Sequence, residues 1–229
     1  MVDPDVCVIV RMYNEAPRVG AVVSGLLQHF AQVVCVDDGS TDASGAIARA
    51  AGATVVRHAQ NLGGGAALET GFEYVRRHTD ARWCVTFDAD GQHRAEDALA
   101  MVQHARSSGV DVVLASRFSG TAHDMPWTRR ATLRCGTAFT RWTTRLNVSD
   151  AHNGLRVFSR SALDRVSLTH AGMAYASEIT AAIRRHRLTW AEVPVTILYD
   201  DYSLAKGQSS LNAVNIIFDL TMARLRATS

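Results

Sequence analysis

The sequence lacks a dominant charge, because its 24 lysines and arginines nearly balance its 22 aspartates and glutamates and leave a formal net charge of +2. No general electrostatic field favours a polyanion, and we expect no nucleic-acid partner. The four cysteines show no C-x-x-C spacing. Three of them, Cys7, Cys35 and Cys84, lie in apolar runs, which is typical of small buried side chains in a reducing compartment.

Long hydrophobic runs are missing as well. No stretch approaches the roughly 18 apolar residues that a membrane-spanning helix needs. The N-terminal segment MVDPDVCVIV has neither the basic start nor the long apolar region of a secretion signal. No internal repeat or low-complexity linker divides the chain. We therefore expect a cytoplasmic protein, and peripheral attachment to the inner membrane surface is left open.

The first half of the chain alternates short apolar runs with segments of helical period. The runs are VCVIV, VVCV, TVV, WCVTF and VVLAS, at 6–10, 33–36, 54–56, 83–87 and 112–116. Each run is apolar throughout, as in strands that are covered by helices on both faces. The pattern predicts an α/β fold with a Rossmann-like, mostly parallel sheet.

The second half follows another rhythm. It contains a predicted loop at 117–127, a basic amphipathic helix at 128–146, strands within 154–160 and 192–199, and a helix near 175–186. We interpret 1–229 as one catalytic domain with three parts. These are a ligand-binding half at about 1–117, a second half at about 118–210 that closes over it, and a C-terminal amphipathic helix at 211–226.

Polar residues cluster directly after the predicted strands, where the carboxyl ends of a parallel sheet form one crevice. In DADGQH, Asp88 and Asp90 are two residues apart, so both carboxylates can point to one side and converge on a cation. Gln92 extends the spacing. Such oxygen ligands favour Mg²⁺ or Mn²⁺ over zinc. Taken alone, the segment is more typical of a polar turn with a helix cap, so its context has to decide.

The context begins with VDDGSTD and NLGGGAALETG. Asp37 or Asp38 can accept a hydrogen bond from a base or a ribose hydroxyl, although capping of the next helix by Ser40 or Asp42 explains the first motif equally well. The second motif places backbone N–H groups at a helix start, where they can face a phosphate. It lacks both the P-loop ending and the dinucleotide fingerprint, so alone it is weak.

The order of the motifs resembles the family 2 glycosyltransferases with a GT-A fold. The ordered set is YNE, VDDGSTD, N-L-G-x-G-x-A, DADGQH, ASRF and DAHNGLRVFSR, over about residues 6–160. It is most similar to the polyprenyl-phosphate hexosyltransferases of the dolichyl-phosphate-mannose-synthase type. The resemblance implies an inverting enzyme that moves a hexose from a nucleotide-diphosphate sugar, such as a UDP- or GDP-hexose, with Mg²⁺ or Mn²⁺. The first half would bind the nucleotide sugar and the second half the acceptor.

The resemblance also implies roles for individual residues. The metal ligands would be Asp88, Asp90 and Gln92. The nucleotide sugar would be bound by Tyr13, Glu15, Asp37, Asp38, Asn61, Gly63, Asp88 and Lys206. The acceptor would be bound by Arg117, Arg130, Asn153, Gly154 and Arg156. Catalysis would depend on Asp90, Arg117 and Asp150.

Two motifs depart from the family pattern. Arg11 and Met12 stand where the family often has Pro-Thr before YNE. Gly64 lies in the segment NLGGG at 61–65, here called the glycine loop, where the family often has a lysine. A positive contact to the diphosphate is then missing, unless Arg57 or Lys206 supplies it.

The residues leave the acceptor open between two classes. A polyprenyl phosphate is already ionised near neutral pH, and Arg117 could position it by a charge-assisted contact. A hydroxyl of a soluble glycan or secondary metabolite needs a general base, for which Asp150 is the candidate. We expect the lipid phosphate. A receiver-like signalling domain, which VCVDDGS faintly imitates, would leave the D-x-D segment unexplained.

Three further segments bear on location and closure. The basic helix and the segment 211–226 could contact anionic head groups or a membrane partner. The ordinary alternatives are a solvated face for the first and packing on the domain for the second. The segment 199–210 could order over the ligands and bring Lys206 to a phosphate, or be an ordinary surface loop. Homo-oligomerisation is left open.

Overall fold

The structure, a computed structural model, describes residues 2–123, 127–172 and 174–199. The predictions for Lys206, for most of the segment 199–210 and for the helix 211–226 lie outside the described residues.

Strands and helices alternate through the described chain. The strands are β1 (Asp3–Met12), β2 (Phe30–Asp37), β3 (Thr54–Arg57), β4 (Trp83–Asp88), β5 (Val112–His123), β6 (Arg156–Ser159) and β7 (Trp190–Leu198). The helices are α1 (Val19–Leu27), α2 (Ser44–Ala50), α3 (Gly64–His78), α4 (Ala95–Ser108), α5 (Trp127–Thr144), α6 (Arg160–Leu163) and α7 (Tyr175–Arg185). The basic helix and both strands predicted in the second half are therefore confirmed.

The described strands form one seven-stranded sheet in the order β3-β2-β1-β4-β6-β5-β7. Strands β1 to β4 pair in parallel, and so do β5 and β7. Strand β6 lies between β4 and β5 and is antiparallel to both. The predicted mostly parallel sheet is confirmed, and it contains strands from both halves of the chain.

Helices cover both faces of the sheet because successive side chains of a strand point to opposite faces. In β1, Val8 and Val10 belong to the apolar core that includes α1 and α4. Cys7 and Ile9 belong to the core on the other face, which includes α3 and α7. The fully apolar composition of the strand is explained by burial on both sides. Cys7, Cys35 and Cys84 are all buried, as predicted.

The predicted loop at 117–127 is wrong over most of its length. Strand β5 continues to His123, and Thr121 pairs with Thr196 of β7 after an irregularity that follows Ser116. A side chain at position 120 would overlap the backbone of Val195, so Gly120 allows the close approach of the two strands. The glycine and serine in this segment mark an irregular strand, which composition does not distinguish from a loop.

Helix α3 lies so close to β1 that it has no room for a side chain at Gly71. A methyl group there would overlap Cγ2 of Ile9, whereas one at Gly25 of α1 would meet no atom within 4 Å. We expect Gly71→Ala to lower the free energy of unfolding by about 1–3 kcal/mol through overpacking. Gly25→Ala should raise it by about 0.4–1 kcal/mol, because the unfolded chain loses freedom.

Urea denaturation of the two variants beside the wild type measures both changes. Equal stabilities of Gly71→Ala and Gly25→Ala would contradict the close contact between α3 and β1.

Candidate active site

The candidate site lies at the edge where the parallel strands end. The register places Arg11 of β1 opposite Asp88 of β4. Because β6 runs in the opposite direction, its first residue, Arg156, pairs with Thr86 of β4 and Leu114 of β5. The turn before β6 is thereby brought to the same edge. The sheet thus assembles predicted residues from both halves of the chain.

Asp88 is held between two basic side chains. Nε of Arg11 donates to Oδ1 of Asp88 at 2.6 Å, and Nε2 of His93, whose side chain is 4% exposed, lies 3.7 Å from Oδ2. Burial alone would raise the pKa of Asp88, but Arg11 and then His93 outweigh it, so the pKa lies well below its ordinary value. Asp88 is therefore ionised at neutral pH.

Gly154 closes another side of Asp88. A Cβ atom at position 154 would overlap the carboxylate of Asp88. The hydroxyl of Thr86 donates to the carbonyl oxygen of Gly154 at 2.7 Å and fixes this approach. The contact with Asp88 therefore explains the glycine, and an acceptor-binding role for Gly154 stays a prediction.

Asp90 shows the opposite shift. Burial and then the negative charge of Asp88 raise the pKa of Asp90, against smaller contributions from His93 and from the backbone N–H of Gln92. That N–H donates to Oδ1 of Asp90 at 3.0 Å, and the residue Gln92 is buried. A bound cation would relieve the repulsion between the two carboxylates.

The donor set fits a hard divalent cation that keeps open positions. Within the described residues, no three His, Cys, Asp or Glu side chains form a metal-binding group. Asp88 and Asp90 would supply two carboxylates, with Gln92 beside them. Ligand oxygens and water would complete the shell, as is common for Mg²⁺.

Asp38 holds the glycine loop against β2. Its carboxylate accepts hydrogen bonds from the backbone N–H groups of Leu62 at 2.9 Å and Gly63 at 2.8 Å, and it lies 2.8 Å from Nδ1 of His58. Nε2 of His58 lies 2.9 Å from the hydroxyl of Thr70 in α3. These contacts tie the end of β2 to the start of α3. The role of Asp38 toward a nucleotide stays a prediction.

Asp37, the last residue of β2, is fully buried. Its Oδ1 accepts the backbone N–H of Ser40 at 2.9 Å, and its Oδ2 lies 3.6 Å from Nε of Arg57. Nη2 of Arg57 donates to the carbonyl oxygen of Ser40 at 2.8 Å. Both side chains therefore stabilise the VDDGSTD turn.

The start of α3 faces protein backbone. The N–H groups of Gly65 and Ala66 lie 2.7 and 3.4 Å from the carbonyl oxygen of Ala171 and donate to it. A Cβ atom on Gly63 would lie 2.5 Å from the same oxygen. In this conformation the N–H groups that the sequence directs to a phosphate are bonded to the segment before α7.

Arg117 and Asp150 form a buried ion pair. Nε of Arg117 donates to Oδ2 of Asp150 at 2.6 Å, and its Nη1 donates to the hydroxyl of Tyr199 at 3.1 Å. The side chain of Asn153 adds a long contact of 3.4 Å to the same Oδ2. Among the described residues, the buried Oδ1 of Asp150 has no hydrogen-bond partner. Arg117 is thus fixed in place, and one carboxylate oxygen beside it is unsatisfied.

Tyr175, the first residue of α7, is a site residue that the sequence did not reveal. Cζ of Arg11 lies 4.8 Å and Cζ of Arg156 lies 5.6 Å from the centroid of its buried ring. Nη2 of Arg156 donates to the carbonyl oxygen of Ala151 at 3.2 Å. Nothing in the segment AYASEI marks the tyrosine, and Arg11 stood out in the sequence only as a departure from the family pattern, not as a partner of Asp88.

The remaining predicted residues differ in exposure. Tyr13 is 41% exposed, Asn61 and Arg130 are exposed, and Glu15 is buried. The backbone N–H of Glu15 donates to the hydroxyl of Ser44 at 2.7 Å. None of these contacts involves a ligand, so the nucleotide and acceptor roles stay predictions.

Comparison with known proteins places this geometry in a family. The sequence profile described as Glycosyl transferase family 2 matches residues 7–167. The chain is 29% identical to the UDP-N-acetylglucosamine–dolichyl-phosphate N-acetylglucosaminyltransferase of Methanococcus voltae, over 98% of both chains. It is 27% identical to the polyprenol monophosphomannose synthase of Mycolicibacterium smegmatis, over 89% of this chain and 81% of the relative.

A solved structure confirms the fold. Glucosyl-3-phosphoglycerate synthase from Mycobacterium tuberculosis, crystallised with Mn²⁺, UDP and glucosyl-3-phosphoglycerate, superimposes with a TM-score of 0.70. The match covers 94% of this chain and 79% of the synthase at 19% identity. The predicted GT-A fold is therefore confirmed, and at this identity the likeness supports the fold alone.

His152 makes the stability of the second half depend on pH. Burial lowers its pKa to about 4 from 6.5; Asp150 opposes this shift, and Arg156 and Arg117 add to it. Below pH 6.5 the unfolded chain binds a proton that the folded chain takes up only near pH 4. The free energy of unfolding should therefore fall by up to roughly 3 kcal/mol between these pH values.

In His152→Gln we expect this fall in the free energy of unfolding to disappear. In the control His78→Gln, at an exposed histidine, we expect the same fall as in the wild type. Urea denaturation at pH 7, 5.5 and 4.5 provides the measurement. The same pH profile for His152→Gln and wild type would show that His152 is not the responsible group.

Proposed function

The chain belongs to glycosyl transferase family 2, and on that basis we propose that it transfers a hexose from a nucleotide-diphosphate sugar to polyprenyl phosphate, with inversion at the anomeric carbon. One observation carries the proposal. The ionised Asp88 and the neighbouring Asp90, whose pKa is raised, lie at the sheet edge that also receives the turn before β6. A cation-binding pair and an acceptor-side turn would thus meet at one place.

The donor would bind over the ends of β1, β2 and β4. Mg²⁺ or Mn²⁺ held by Asp88 and Asp90 would stabilise the negative charge that develops on the departing nucleoside diphosphate. Asp38 fixes the glycine loop beside this position through its bonds to Leu62 and Gly63. The exposed ring of Tyr13 lies one residue beyond β1, where a nucleoside can reach it.

The state of Asp150 favours a phosphate acceptor. Oδ2 of Asp150 already accepts a hydrogen bond from Nε of Arg117 at 2.6 Å, so this oxygen is not open to an incoming hydroxyl. A phosphate monoester is already ionised and needs no such base. Arg117 has five N–H donors and its side chain uses Nε and Nη1 in the described contacts, so donors remain for a phosphate. The named activities of the M. voltae and M. smegmatis relatives support the same acceptor class.

A soluble hydroxyl acceptor is the second candidate, and one observation favours it. Oδ1 of Asp150 is buried and, within the described part of the chain, has no hydrogen-bond partner. It could therefore accept the proton of an incoming hydroxyl. The receiver-like signalling alternative is wrong, since the family match spans most of the chain.

Helix α5 supports contact with an anionic membrane surface. Its Trp127 is 79% and its Trp142 is 69% exposed. The exposed arginines Arg130, Arg134 and Arg141 lie in the helix, and the exposed Arg145 follows directly after it. Indole rings and guanidinium groups suit the head-group region of a bilayer. Peripheral attachment through α5 would place the site near a lipid-linked phosphate.

Across the described residues, no helix is both long and apolar enough to cross a membrane.

Replacement of Asp90 tests the donor side. We expect Asp90→Asn to lower turnover about a hundredfold or more, because a pre-organised charge at the leaving group is lost. The thermal stability should not fall, since the substitution removes a carboxylate that Asp88 repels. Product formation with Mn²⁺ and a nucleotide sugar measures turnover, with the exposed Glu96→Gln as control. Wild-type turnover in Asp90→Asn would refute the metal role.

The acceptor class is tested by direct competition. A thermal-shift panel of UDP-, GDP- and dTDP-sugars with Mn²⁺ first identifies the donor, because a ligand of the native state raises the melting temperature. The donor is then supplied with polyprenyl phosphate or with soluble glycosides. We expect transfer to the lipid phosphate and none to the soluble glycosides. Transfer to soluble hydroxyls alone would establish the second candidate instead.

A further inference from the structure

Arg11 and Gly64, the two departures from the family pattern, are in contact. Nη1 of Arg11 lies 2.9 Å from the position that a Cβ atom of Gly64 would occupy. The backbone of Gly64 does not require glycine, because its φ is not in the left-handed region. The glycine at position 64 is explained better by its contact with Arg11 than by its backbone conformation. Gly64 leaves open the volume into which the guanidinium of Arg11 extends.

Arg11 is also poised to bind an anion. Among its described contacts only Nε donates a hydrogen bond, to Asp88 at 2.6 Å, so Nη1 and Nη2 keep four N–H donors. The side chain is 18% exposed, and its guanidinium stacks over Tyr175 at 4.8 Å. A planar cation with open donors, held by an aromatic ring, is suited to two oxygens of a phosphate.

Other cationic groups near this edge make their own contacts. The first N–H groups of α3 donate to the carbonyl oxygen of Ala171, and Nη2 of Arg57 donates to the carbonyl oxygen of Ser40. Arg156 is buried; its Nη2 donates to the carbonyl oxygen of Ala151, and its Nη1 has no hydrogen-bond partner among the described residues. Arg11 differs from them in its position, because it contacts both Asp88 and the start of α3 at Gly64.

We infer that Arg11 binds the diphosphate of the donor in the space left by Gly64. The inference rests on the proposed function, since it assumes a nucleotide-diphosphate sugar at this edge. Arg11 would give up Asp88 as the diphosphate arrives, and Asp88 would turn to the cation bound with it. A positive charge supplied from β1 would thus replace one supplied from the glycine loop.

Calorimetric titration with Mn²⁺ and UDP, GDP or inorganic pyrophosphate tests the inference without relying on turnover. We expect Arg11→Met to weaken binding of the diphosphates about ten- to a hundredfold, because a charge-assisted contact is lost. The affinity of Arg11→Lys should lie between those of wild type and Arg11→Met, because an ammonium keeps the charge but cannot bind two oxygens in the same plane. Arg77→Met, an exposed cation at the far end of α3, is the control and should change binding less than about twofold.

Two variants at Gly64 separate a binding role from a structural one. Gly64→Leu fills the space while Arg11 remains, so it should weaken pyrophosphate binding as well. Arg11→Met combined with Gly64→Lys moves the cation to the glycine loop and should recover part of the affinity. A merely structural role of Arg11 predicts no recovery in the double variant.

Failure of the inference and failure of the proposed function are distinguishable. If wild type binds a diphosphate and a folded Arg11→Met binds it equally well, the inference alone is overturned. Unchanged pyrophosphate binding in Gly64→Leu would overturn it too, even if Arg11→Met did not fold. If wild type binds none of the three diphosphates with Mn²⁺, the proposed function fails and the inference fails with it.

Discussion

The carboxylate of Asp88 is the point at which three distant stretches of the chain are held together. Arg11 reaches it from β1, His93 from the turn before α4, and Gly154 from the turn before β6. Each approach depends on open space, because position 154 must present bare backbone to Asp88 and the guanidinium of Arg11 extends into the volume beside Gly64. Burial of a carboxylate is tolerable only with such partners. The site is therefore organised around a charge that the protein must neutralise before any ligand arrives.

The fold was largely predictable because it depends on local patterns. Apolar runs such as VCVIV report burial on two faces, and that burial is what places helices on both sides of a parallel sheet. The position of polar residues after strands follows from the same geometry, so Asp88 and Asp90 could be located from sequence at the edge where the parallel strands end. The order of the motifs supplied the family, which single motifs did not.

The partners of the site residues could not be predicted, because they depend on contacts between segments far apart in the chain. Periodicity does not reveal that β6 enters the sheet in reverse or that Ala171 lies on the glycine loop. It also gives no sign that Arg117 is bound to Asp150 and Tyr199 rather than open to solvent. The prediction of a loop at 117–127 was wrong for a related reason. Strand β7, which pairs with that segment, lies much later in the sequence.

The reversed strand β6 also affects how the chain can fold during its synthesis. Strands β1 to β4 come from the first part of the sequence and pair with one another, so this part of the sheet can form early in synthesis. One edge of β4 stays bare until β6, much later in the chain, covers it. That edge belongs to a hydrophobic strand, and such edges pair readily with other chains. The topology that brings the turn before β6 to Asp88 therefore leaves the nascent protein exposed to aggregation until its second half emerges.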